Sequence, residues 1–376
     1  MKLSRALLTP LRLPLRRPVV TAHERHTWRD GLLVRLEAET GETGHGETLP
    51  LAGFELESLE RASEVVAAAL QALLGREWSD LGAALDAVRR HTADAPSARA
   101  ALDVAFHDLF ARADGHSVAV LLCAHRGGNA RAEIPVSALI AATHTEDAAR
   151  HARQAVSRGF RALKLKVGFG DVEQDVRRAA AVRAAAGPEV ELRLDANGAW
   201  DEAGALEALE RLAPFEPAFV EQPVPAHDLG ALARVREAAP VLVAADESVR
   251  DEARALAILE RKAADLLIVK PAALGGLQPA QHIAERALAA GVGVVVTGML
   301  DSALGTAAAL HLAAALPDPL RAAGLAADAL FETDLASLPR VAAGRRGVPE
   351  GSGLGVAPSP KRLARLARGP ARELSS

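Results

Sequence analysis

Lysine and acidic side chains end a series of short apolar runs in the middle of this chain. Lys166 and Lys270 end two of the runs, and Asp195, Glu221 and Asp246 end the three runs between them. By position these residues are 29, 26, 25 and 24 apart. One strand-plus-helix unit of a (β/α)₈ barrel is about this long, since its ~250 residues divide into eight units. The side chains would then converge on one mouth of a barrel, as oxygen ligands flanked by cations. This arrangement is typical of a metal-assisted active site.

The three acids suit a hard divalent cation. Mg²⁺ prefers carboxylate oxygens and keeps positions open for substrate and water, and Mn²⁺ is expected to substitute for it. The sequence has no Cys/His cluster with zinc spacing, which argues against a soft metal. The alternative is that each acid caps the helix that follows it. Three such caps in step with two lysine-bearing strands would be a coincidence, so the sequence predicts a magnesium site.

The lysines point to proton transfer beside that site. Side chains alternate along a strand, so Lys164 and Lys166 share one face, as do Asp195 and Asn197. Buried ammonium groups are costly unless paired, and the alternative is a surface ion pair on a misassigned segment. A lysine can act as a base because a nearby cation and a second ammonium group favour its neutral form. Removal of the hydrogen α to a carboxylate would give an enediolate that the cation and the lysines stabilise.

The elements that must position these residues form a repeated pattern of strand and helix. The predicted strands are 134–140, 162–168, 191–197, 219–224, 242–248, 266–272, 293–300 and 321–326. The stretches between them are rich in Ala, Arg and Glu, which favour helices. The predicted fold class is therefore α/β, a parallel (β/α)₈-type barrel with its chemistry at the carboxyl ends of the strands.

The first part of the chain has a different pattern. It predicts a strand at 31–38, a turn at 41–46 and helices at 57–74, 79–91 and 97–112. Ser58 and Ser97 are the expected N-caps of the first and third helices. We expect an α+β domain over 1–130, a barrel over 131–330, and a segment over 331–376 that returns to the first domain. The basic stretch from Ser359 is expected to be mobile.

Composition excludes several classes of function. The chain has 376 residues, of which 49% are hydrophobic and 24% charged, as in a soluble protein with a large core. A net charge of −4 gives no reason to expect nucleic acid or an anionic membrane as a partner. The single cysteine, Cys123, allows no internal disulfide. No segment has the length or apolarity of a membrane span or signal peptide. We expect a cytoplasmic enzyme that acts on a small-molecule carboxylate.

As a set, these motifs resemble the enolase superfamily in its muconate-lactonizing-enzyme-like branch. The matching pieces are Lys164-Leu165-Lys166, Asp195-Ala196-Asn197, Glu221-Gln222-Pro223, Asp246-Glu247-Ser248 and Lys270-Pro271. The resemblance covers nearly the whole chain and implies that the α+β domain caps the barrel. It implies that the three acids bind Mg²⁺, that Lys166 is base and then acid, and that Lys270 and Lys164 stabilise the intermediate. Asn197 and Glu247 would orient the ligands.

Segments outside the catalytic core resemble the o-succinylbenzoate synthases of that branch. These segments are residues 29–34, 44–54, 324–326 and 351–356. The implied reaction is the magnesium-dependent syn dehydration of 2-succinyl-6-hydroxy-2,4-cyclohexadiene-1-carboxylate, a hydro-lyase step of menaquinone biosynthesis. Phe54 would close over the substrate with residues 50–53 and 20–23, whereas His45 departs from the aromatic residue expected at its position.

The end of the seventh strand has two interpretations. Its residues would line the pocket for the succinyl arm, namely Thr297, Gly298, Leu300, Asp301 and Ser302. The alternative is a plain strand-to-helix turn with Asp301 or Ser302 as the N-cap.

Other activities fit the same scaffold. An N-acylamino-acid racemase or a dipeptide epimerase would use both lysines, one on each face of the α-carbon. A dipeptide epimerase is expected to carry Asp-x-Asp at the eighth strand, where this chain has Gly324 and Ala326. Racemase activity therefore remains an alternative. Only the capping segments argue against cycloisomerisation of muconate. A barrel without catalysis would normally have lost a lysine or an acid.

Overall fold

The computed structural model describes residues 1–20, 25–51, 54, 56–326 and 330–376. The strands are β1 Leu3–Val20, β2 Arg25–Ala38, β3 Thr43–Thr48, β4 Glu133–Pro135, β5 Ala138–Ile140, β6 Ala162–Lys166, β7 Glu191–Asp195, β8 Pro217–Glu221, β9 Val243–Ala245, β10 Leu266–Val269, β11 Gly293–Val296, β12 Val341–Ala342, β13 Arg345–Gly347 and β14 Arg372–Ser375. The α-helices are α1 Leu59–Leu73, α2 Leu81–His91, α3 Pro96–Ala113, α4 Val118–Cys123, α5 Thr145–Ser157, α6 Val172–Ala186, α7 Glu202–Leu212, α8 Leu229–Ala238, α9 Glu252–Glu260, α10 Pro271–Leu274, α11 Leu277–Ala289, α12 Ala303–Ala315 and α13 Pro360–Leu366. Within these ranges no helix combines the length and apolarity needed to cross a membrane.

A parallel barrel follows the N-terminal domain, as predicted. Strands β5 to β11 are hydrogen-bonded in chain order. All four residues of β10 are buried, as expected for parallel strands covered on both faces. The ring is closed by Ala323, which bridges to Val136, and by Gly324, which bridges to Thr297. The eighth strand is thus reduced to two bridging residues of the predicted 321–326.

Strands β6 to β11 are also shorter than predicted at their carboxyl ends. Asn197, Gln222 and Leu300 have φ angles of 46°, 39° and 61°. These left-handed conformations turn the chain away from the strand direction. The polar residues there therefore lie at the barrel mouth and do not extend the hydrogen-bond ladder of the sheet. The first predicted strand, 134–140, is divided into β4 and β5, because β4 pairs antiparallel with β13 in a separate small sheet.

The helices after the lysine strand β6 and the three acidic strands have their own N-caps. Helices α6, α7, α8 and α9 each begin after an aspartate that accepts a backbone N–H of the first turn, namely Asp171, Asp201, Asp228 and Asp251. Such caps satisfy otherwise unpaired donors. The alternative that the acids at the ends of β7, β8 and β9 cap these helices is therefore wrong.

The N-terminal domain is a four-stranded antiparallel sheet, in the order β14-β1-β2-β3, covered by α1, α2 and α3. Ser58 caps α1 as predicted. Ser97 does not cap α3, because the helix begins at Pro96 and the Ser97 hydroxyl hydrogen-bonds the hydroxyl of Thr48.

The turn predicted at 41–46 is mostly strand, since β3 begins at Thr43. Two glycines in it permit close packing on α3. A Cβ at Gly44 would lie 2.1 Å from the Ala105 carbonyl oxygen, and one at Gly46 would lie 1.9 Å from that of Ala101. These glycines are needed for close approach of the backbones rather than for a turn.

The end of the chain returns to the N-terminal domain. Where a mobile tail was predicted from Ser359, the structure has helix α13, with Leu366 buried, and then strand β14. β14 pairs antiparallel with β1 and covers the edge of the sheet. The prediction of a mobile tail rested on the basic composition of this segment and did not account for the few apolar residues that hold it in place.

Candidate active site

Three buried carboxylates meet at the mouth of the barrel. Asp195 and Glu221 are the last residues of β7 and β8, and Asp246 directly follows β9. One oxygen of each lies within 4.8 Å of the others, and the three residues are at most 3% exposed. Burial raises the pKa of Glu221 to about 7, and the charges of Asp195 and Asp246 add to that rise against the opposing charge of Lys164. This donor set fits a divalent cation, whose charge would balance the crowded acids.

Two lysines of β6 contact these acids. The Lys164 ammonium donates to Glu221 Oε2 at 2.8 Å and lies 3.0 Å from Asp195 Oδ2. Lys166 donates to Asp195 Oδ2 at 2.8 Å and to Asn197 Oδ1 at 2.5 Å. Burial alone would lower the pKa of Lys164, but the charges of Asp195 and Glu221 outweigh it and raise that pKa. The same lysines lower the pKa of Asp195 below its usual range, although burial opposes them.

Lys270 lies on the opposite side of the barrel mouth. It directly follows β10, which is four strands from β6 in a ring of eight strand positions. Its ammonium donates to a carboxylate oxygen of Asp246 and lies 4.2 Å from the centre of the Phe54 ring. The acid cluster therefore has a lysine pair on one side and a single lysine, covered by an aromatic ring, on the other.

Asn197 and Glu247 lie between the two sides and contact each other, and the orienting role of both stays a prediction. The Asn197 amide donates to Glu247 Oε1 at 2.8 Å. The other Glu247 oxygen is buried and has no hydrogen-bond partner among the described residues. Burial raises the pKa of Glu247 to about 7, with a further contribution from the Asp246 charge against that of Lys270.

Gln222 also belongs to the site, although its role was not predicted. It is fully buried, and its Oε1 accepts the backbone N–H groups of Asp246 at 3.0 Å and Ser248 at 3.1 Å. Its amide nitrogen donates to the Ser248 hydroxyl at 2.9 Å. Gln222 therefore fixes the turn that carries Asp246. The sequence signal that could have identified Gln222 is an amide residue directly after the acid that ends a buried strand.

The seventh-strand residues divide into two groups. Ser302 is the N-cap of α12, and its hydroxyl contacts Glu47 of the capping domain. Asp301 Oδ2 accepts the Met299 N–H at 2.8 Å, beside the partly buried Gly298. The N-cap interpretation therefore holds for Ser302.

Thr297 and Leu300 form the second group. The hydroxyl of Thr297 is buried without a hydrogen-bond partner among the described residues. Thr297 lies two residues beyond Val295, whose side chain is in the barrel interior, so both share that face. Contact of these residues with a substrate stays a prediction.

An apolar cluster lies on the Lys270 side of the mouth. Leu51, Ala273 and Met299 are its buried members. Its partly buried members are Phe54, Leu56, Ala272 and Leu300. Of the segments predicted to close over the site, residues 21–23, 52 and 53 lie outside the described residues.

Comparison with known proteins assigns the chain to a family. The family model "Enolase C-terminal domain-like" matches residues 147–362, and "Mandelate racemase / muconate lactonizing enzyme, N-terminal domain" matches residues 5–123. Muconate cycloisomerase 1 of Rhodococcus opacus is 34% identical over 353 residues, which are 93% of this chain and 94% of that protein. The N-succinyl-L-Arg/Lys racemase of Bacillus cereus is 30% identical over 83% of this chain and 84% of its own.

A solved structure agrees with this assignment. The dipeptide epimerase of Cytophaga hutchinsonii, complexed with Mg and the dipeptide D-Ala-L-Val, is 27% identical. It superposes with a TM-score of 0.89 over 100% of this chain and 99% of its own. The chain therefore belongs to the mandelate racemase / muconate lactonizing enzyme family of the enolase superfamily.

Proposed function

We propose that this protein racemises N-acylated amino acids by moving the hydrogen α to the carboxylate from one face to the other. One observation carries the proposal: Lys166 and Lys270 lie on opposite sides of the acid cluster. A substrate carboxylate bound beside the acids would have one lysine on each face of its α-carbon. Racemisation needs this arrangement, because the base and the acid must act on opposite faces.

The proton transfer is balanced between the two lysines. The neutral amine of one lysine takes the α-hydrogen from the face it occupies, and the C–H electron pair stays on the substrate. The ammonium of the opposite lysine then donates a proton to the other face of the same carbon. Lys164, held by Glu221 and Asp195, supplies positive charge where negative charge develops on the substrate carboxylate. The reverse direction exchanges the roles of the two lysines.

The acids supply the binding site for the cation. Asp195, Glu221 and Asp246 would hold Mg²⁺, and their crowding and burial fit that role. When bound, the ion supplies positive charge that increases the acidity of the hydrogen α to a carboxylate. Gln222 and Asn197 orient the acids and Lys166 by direct hydrogen bonds, as supporting residues do around metal ligands.

An acylated amino group is favoured over a free one by the end of the eighth strand. A Cβ at Gly324 would lie 2.8 Å from the Thr297 Cγ2 atom, so an acidic side chain does not fit there. Ala326 likewise has no charge to bind an ammonium group. A dipeptide with a free amino terminus would therefore lack its expected partner among residues 323–326, whereas an N-acyl amide needs none.

Dehydration of the cyclohexadiene carboxylate is the second candidate. Lys166 has the contacts that a single base on one face requires, since Asp195 and Asn197 hold its ammonium in place. The named relatives, however, are a cycloisomerase, a racemase and an epimerase. They support racemisation better than the dehydration suggested by the capping segments.

Solvent exchange into N-succinylglycine tests the proposal most directly. Glycine has two α-hydrogens, one on each face of the α-carbon. It has no side chain that the site could exclude. In D₂O with Mg²⁺, the wild type is expected to exchange both hydrogens, as seen by proton NMR. Lys166→Ala should exchange only one of them, and Lys270→Ala only the other. The two enantiomers of N-succinylalanine, followed by polarimetry, provide the matching racemisation assay.

The competing activities are assayed on the same protein. Turnover of the cyclohexadiene carboxylate in the absence of any exchange would favour dehydration, and lactone formation from cis,cis-muconate would favour cycloisomerisation. Exchange of both glycine hydrogens by either single-lysine variant would contradict the two-lysine mechanism. Lys262→Ala is the control, because Lys262 follows α9 and is exposed.

A further inference from the structure

We infer that the substrate of this site carries an uncharged, apolar side chain of the size of leucine, methionine or phenylalanine. This side chain would pack beside Lys270 on an apolar wall, by which we mean Leu51, Phe54, Leu56, Met299 and Leu300. This inference rests on the proposed racemisation and narrows its substrate class. Its basis is the apolar cluster, in which the capping domain supplies Leu51, Phe54 and Leu56 and the barrel supplies Met299 and Leu300.

The wall is partly exposed. Leu51 and Met299 are buried, whereas Phe54, Leu56 and Leu300 are only partly buried. The Phe54 ring lies 4.2 Å from the Lys270 ammonium, so the exposed part of the wall is next to one of the two proton-transferring groups. A side chain on the α-carbon would lie within reach of this surface. Burying it there removes apolar area from water on both partners.

Backbone strain at Leu300 supports a functional role for the wall. Its φ of 61° is in the left-handed region, where a bulky side chain is uncommon. Strained residues persist where the surrounding structure fixes them, and they concentrate at ligand sites. Here the strain directs a leucine side chain into the cluster with Phe54, although glycine or asparagine would fit the backbone better.

The acids nearest the wall are engaged elsewhere. Glu47 accepts the backbone N–H groups of Ser302 at 2.9 Å and Gly305 at 3.2 Å and contacts the Ser302 hydroxyl. Asp301 Oδ2 accepts the Met299 N–H, and burial raises the pKa of Asp301. A lysine or arginine side chain of a substrate would have to leave water for a wall whose adjacent carboxylates already have donors, which is costly.

The test compares N-succinyl amino acids under one assay. We expect kcat/KM for racemisation of N-succinyl-phenylalanine, -leucine and -methionine to exceed that of N-succinyl-lysine and -arginine by at least about tenfold. N-succinylglycine exchange is measured alongside, because it reports proton transfer without any side chain.

Two variants and one control locate the preference. Phe54→Ala and Leu300→Asp should each lower the ratio of phenylalanine to lysine turnover by at least about tenfold. Aspartate tolerates the left-handed backbone and adds a partner for an ammonium group, so Leu300→Asp should also raise lysine turnover in absolute terms. Leu242→Ala should leave every ratio unchanged, because this 47%-exposed leucine precedes β9 at the opposite end of the barrel.

The possible outcomes separate the apolar side-chain preference from the proposed racemisation. Glycine exchange with equal or higher turnover of the lysine and arginine substrates would overturn the apolar assignment and leave the racemase proposal standing. An apolar preference that both wall variants leave unchanged would also overturn it. Absence of exchange with every N-succinyl substrate, glycine included, would overturn the proposed function and this inference together.

Discussion

At the scale of single residues, the site is a set of buried and partly buried charges of opposite sign. The acids that crowd the mouth are Asp195, Glu221, Asp246 and Glu247, and the ammonium groups that contact or face them are Lys164, Lys166 and Lys270. The excess of one acid fits a site for an added cation. Buried charges of this kind cost stability unless paired, so they indicate function rather than a device for holding the fold together.

Replacement of Asp195 by asparagine is expected to separate metal binding from folding. With Mg²⁺ at about 100 times its dissociation constant, the wild type should gain about 2.7 kcal/mol of stability and melt at a higher temperature. Asp195→Asn should show no Mg²⁺-dependent shift and no turnover. Without Mg²⁺ it should melt below the wild type, because Lys164 and Lys166 lose a carboxylate partner, so the Mg²⁺-dependent shift is what reports on metal binding. Calorimetric scans with and without Mg²⁺ measure both effects, with Asp318→Asn, an exposed site, as the control. A wild-type Mg²⁺ shift in Asp195→Asn would mean that the metal site is misassigned.

Lys270→Arg tests whether Lys270 transfers protons or only supplies charge. Arginine keeps the positive charge but does not lose its proton in proteins. For a racemase, we expect exchange of the glycine hydrogen on the Lys270 face to fall at least about 100-fold. For a dehydratase that needs Lys270 only as a charge, much of the turnover should survive. Exchange on that face at the wild-type rate would remove Lys270 from the proton-transfer step.

At the scale of elements, close approaches of backbone decide where the strands end and meet. The barrel is closed by Ala323 and Gly324 instead of a full strand. Gly324 fits because it has no side chain to collide with Thr297. In the capping domain, Gly46 has the same function against α3. Such glycines resemble turn signals in a sequence, although they mark contacts between elements that are far apart in the chain.

Gly324→Ala is expected to destabilise the protein by about 1–3 kcal/mol, because the new Cβ overpacks against Thr297. Thr297→Ser removes the Cγ2 atom that would lie 2.8 Å away. In the double variant, part of the loss should be recovered, giving a coupling of at least about 0.5 kcal/mol. Urea unfolding of the four proteins measures this coupling. Gly128→Ala is the control, since nothing lies within 4 Å of its Cβ position. Additive losses would show that the steric explanation is wrong.

Glu47 joins strand β3 to the first turn of α12. The pKa of its carboxyl group predicts how the stability of the protein depends on pH. Burial raises its pKa from 4.5 to about 8 against the hydrogen bond from Ser302, with Asp301 adding to the rise. Between these values the folded protein holds a proton that the unfolded chain has lost. The free energy of unfolding should therefore fall as pH rises through this window.

Glu47→Gln should weaken that dependence, because glutamine accepts the same N–H groups and does not ionise. With Mg²⁺ saturating, we expect a smaller loss of unfolding free energy between about pH 6 and about pH 9 in the variant than in the wild type. Glu64→Gln, at an exposed site, should match the wild type. Equal slopes in all three proteins would show that Glu47 is not the titrating group.

At the scale of the whole molecule, α3 connects the capping sheet, the barrel and the end of the chain. Its Asp103 accepts the N–H of Leu277 at 2.6 Å, at the start of α11. Its Asp108 is fully buried and accepts the N–H groups of His45 at 2.9 Å and Leu354 at 2.7 Å. Helix α3 is therefore joined to the barrel through Asp103, and to β3 and the C-terminal segment through Asp108.

Asp108→Asn should destabilise the folded protein by about 3 kcal/mol, because a neutral amide replaces a buried carboxylate that also pairs with Arg112. Asp114→Asn, on the exposed end of the same helix, should change stability by less than about 0.5 kcal/mol. Denaturant unfolding gives both values. Equal stabilities of the two variants would show that Asp108 does not hold these segments together.

The convergence of the charged residues was predictable from the sequence because it depends on residue type and local period. Strand alternation and a spacing near 25 residues are properties of consecutive residues, so Lys166, Asp195, Glu221, Asp246 and Lys270 were predicted to meet at one barrel mouth. The helices of the capping domain were predicted for the same reason, since apolar residues at helical spacing form one face within a single segment.

Tertiary structure alone decided the remaining features, because they depend on contacts between distant segments. Gly44 and Gly46 are strand residues that pair with β2, and their lack of a side chain lets α3 lie against them. Ser97 is a hydrogen-bond partner of Thr48 and not a cap, and the basic tail is ordered by pairing with β1. No local pattern contains these partners, which the chain brings together only when it folds. The sequence therefore determined which charged groups meet at the barrel mouth, and the packing of the two domains determined which apolar surface lies beside them.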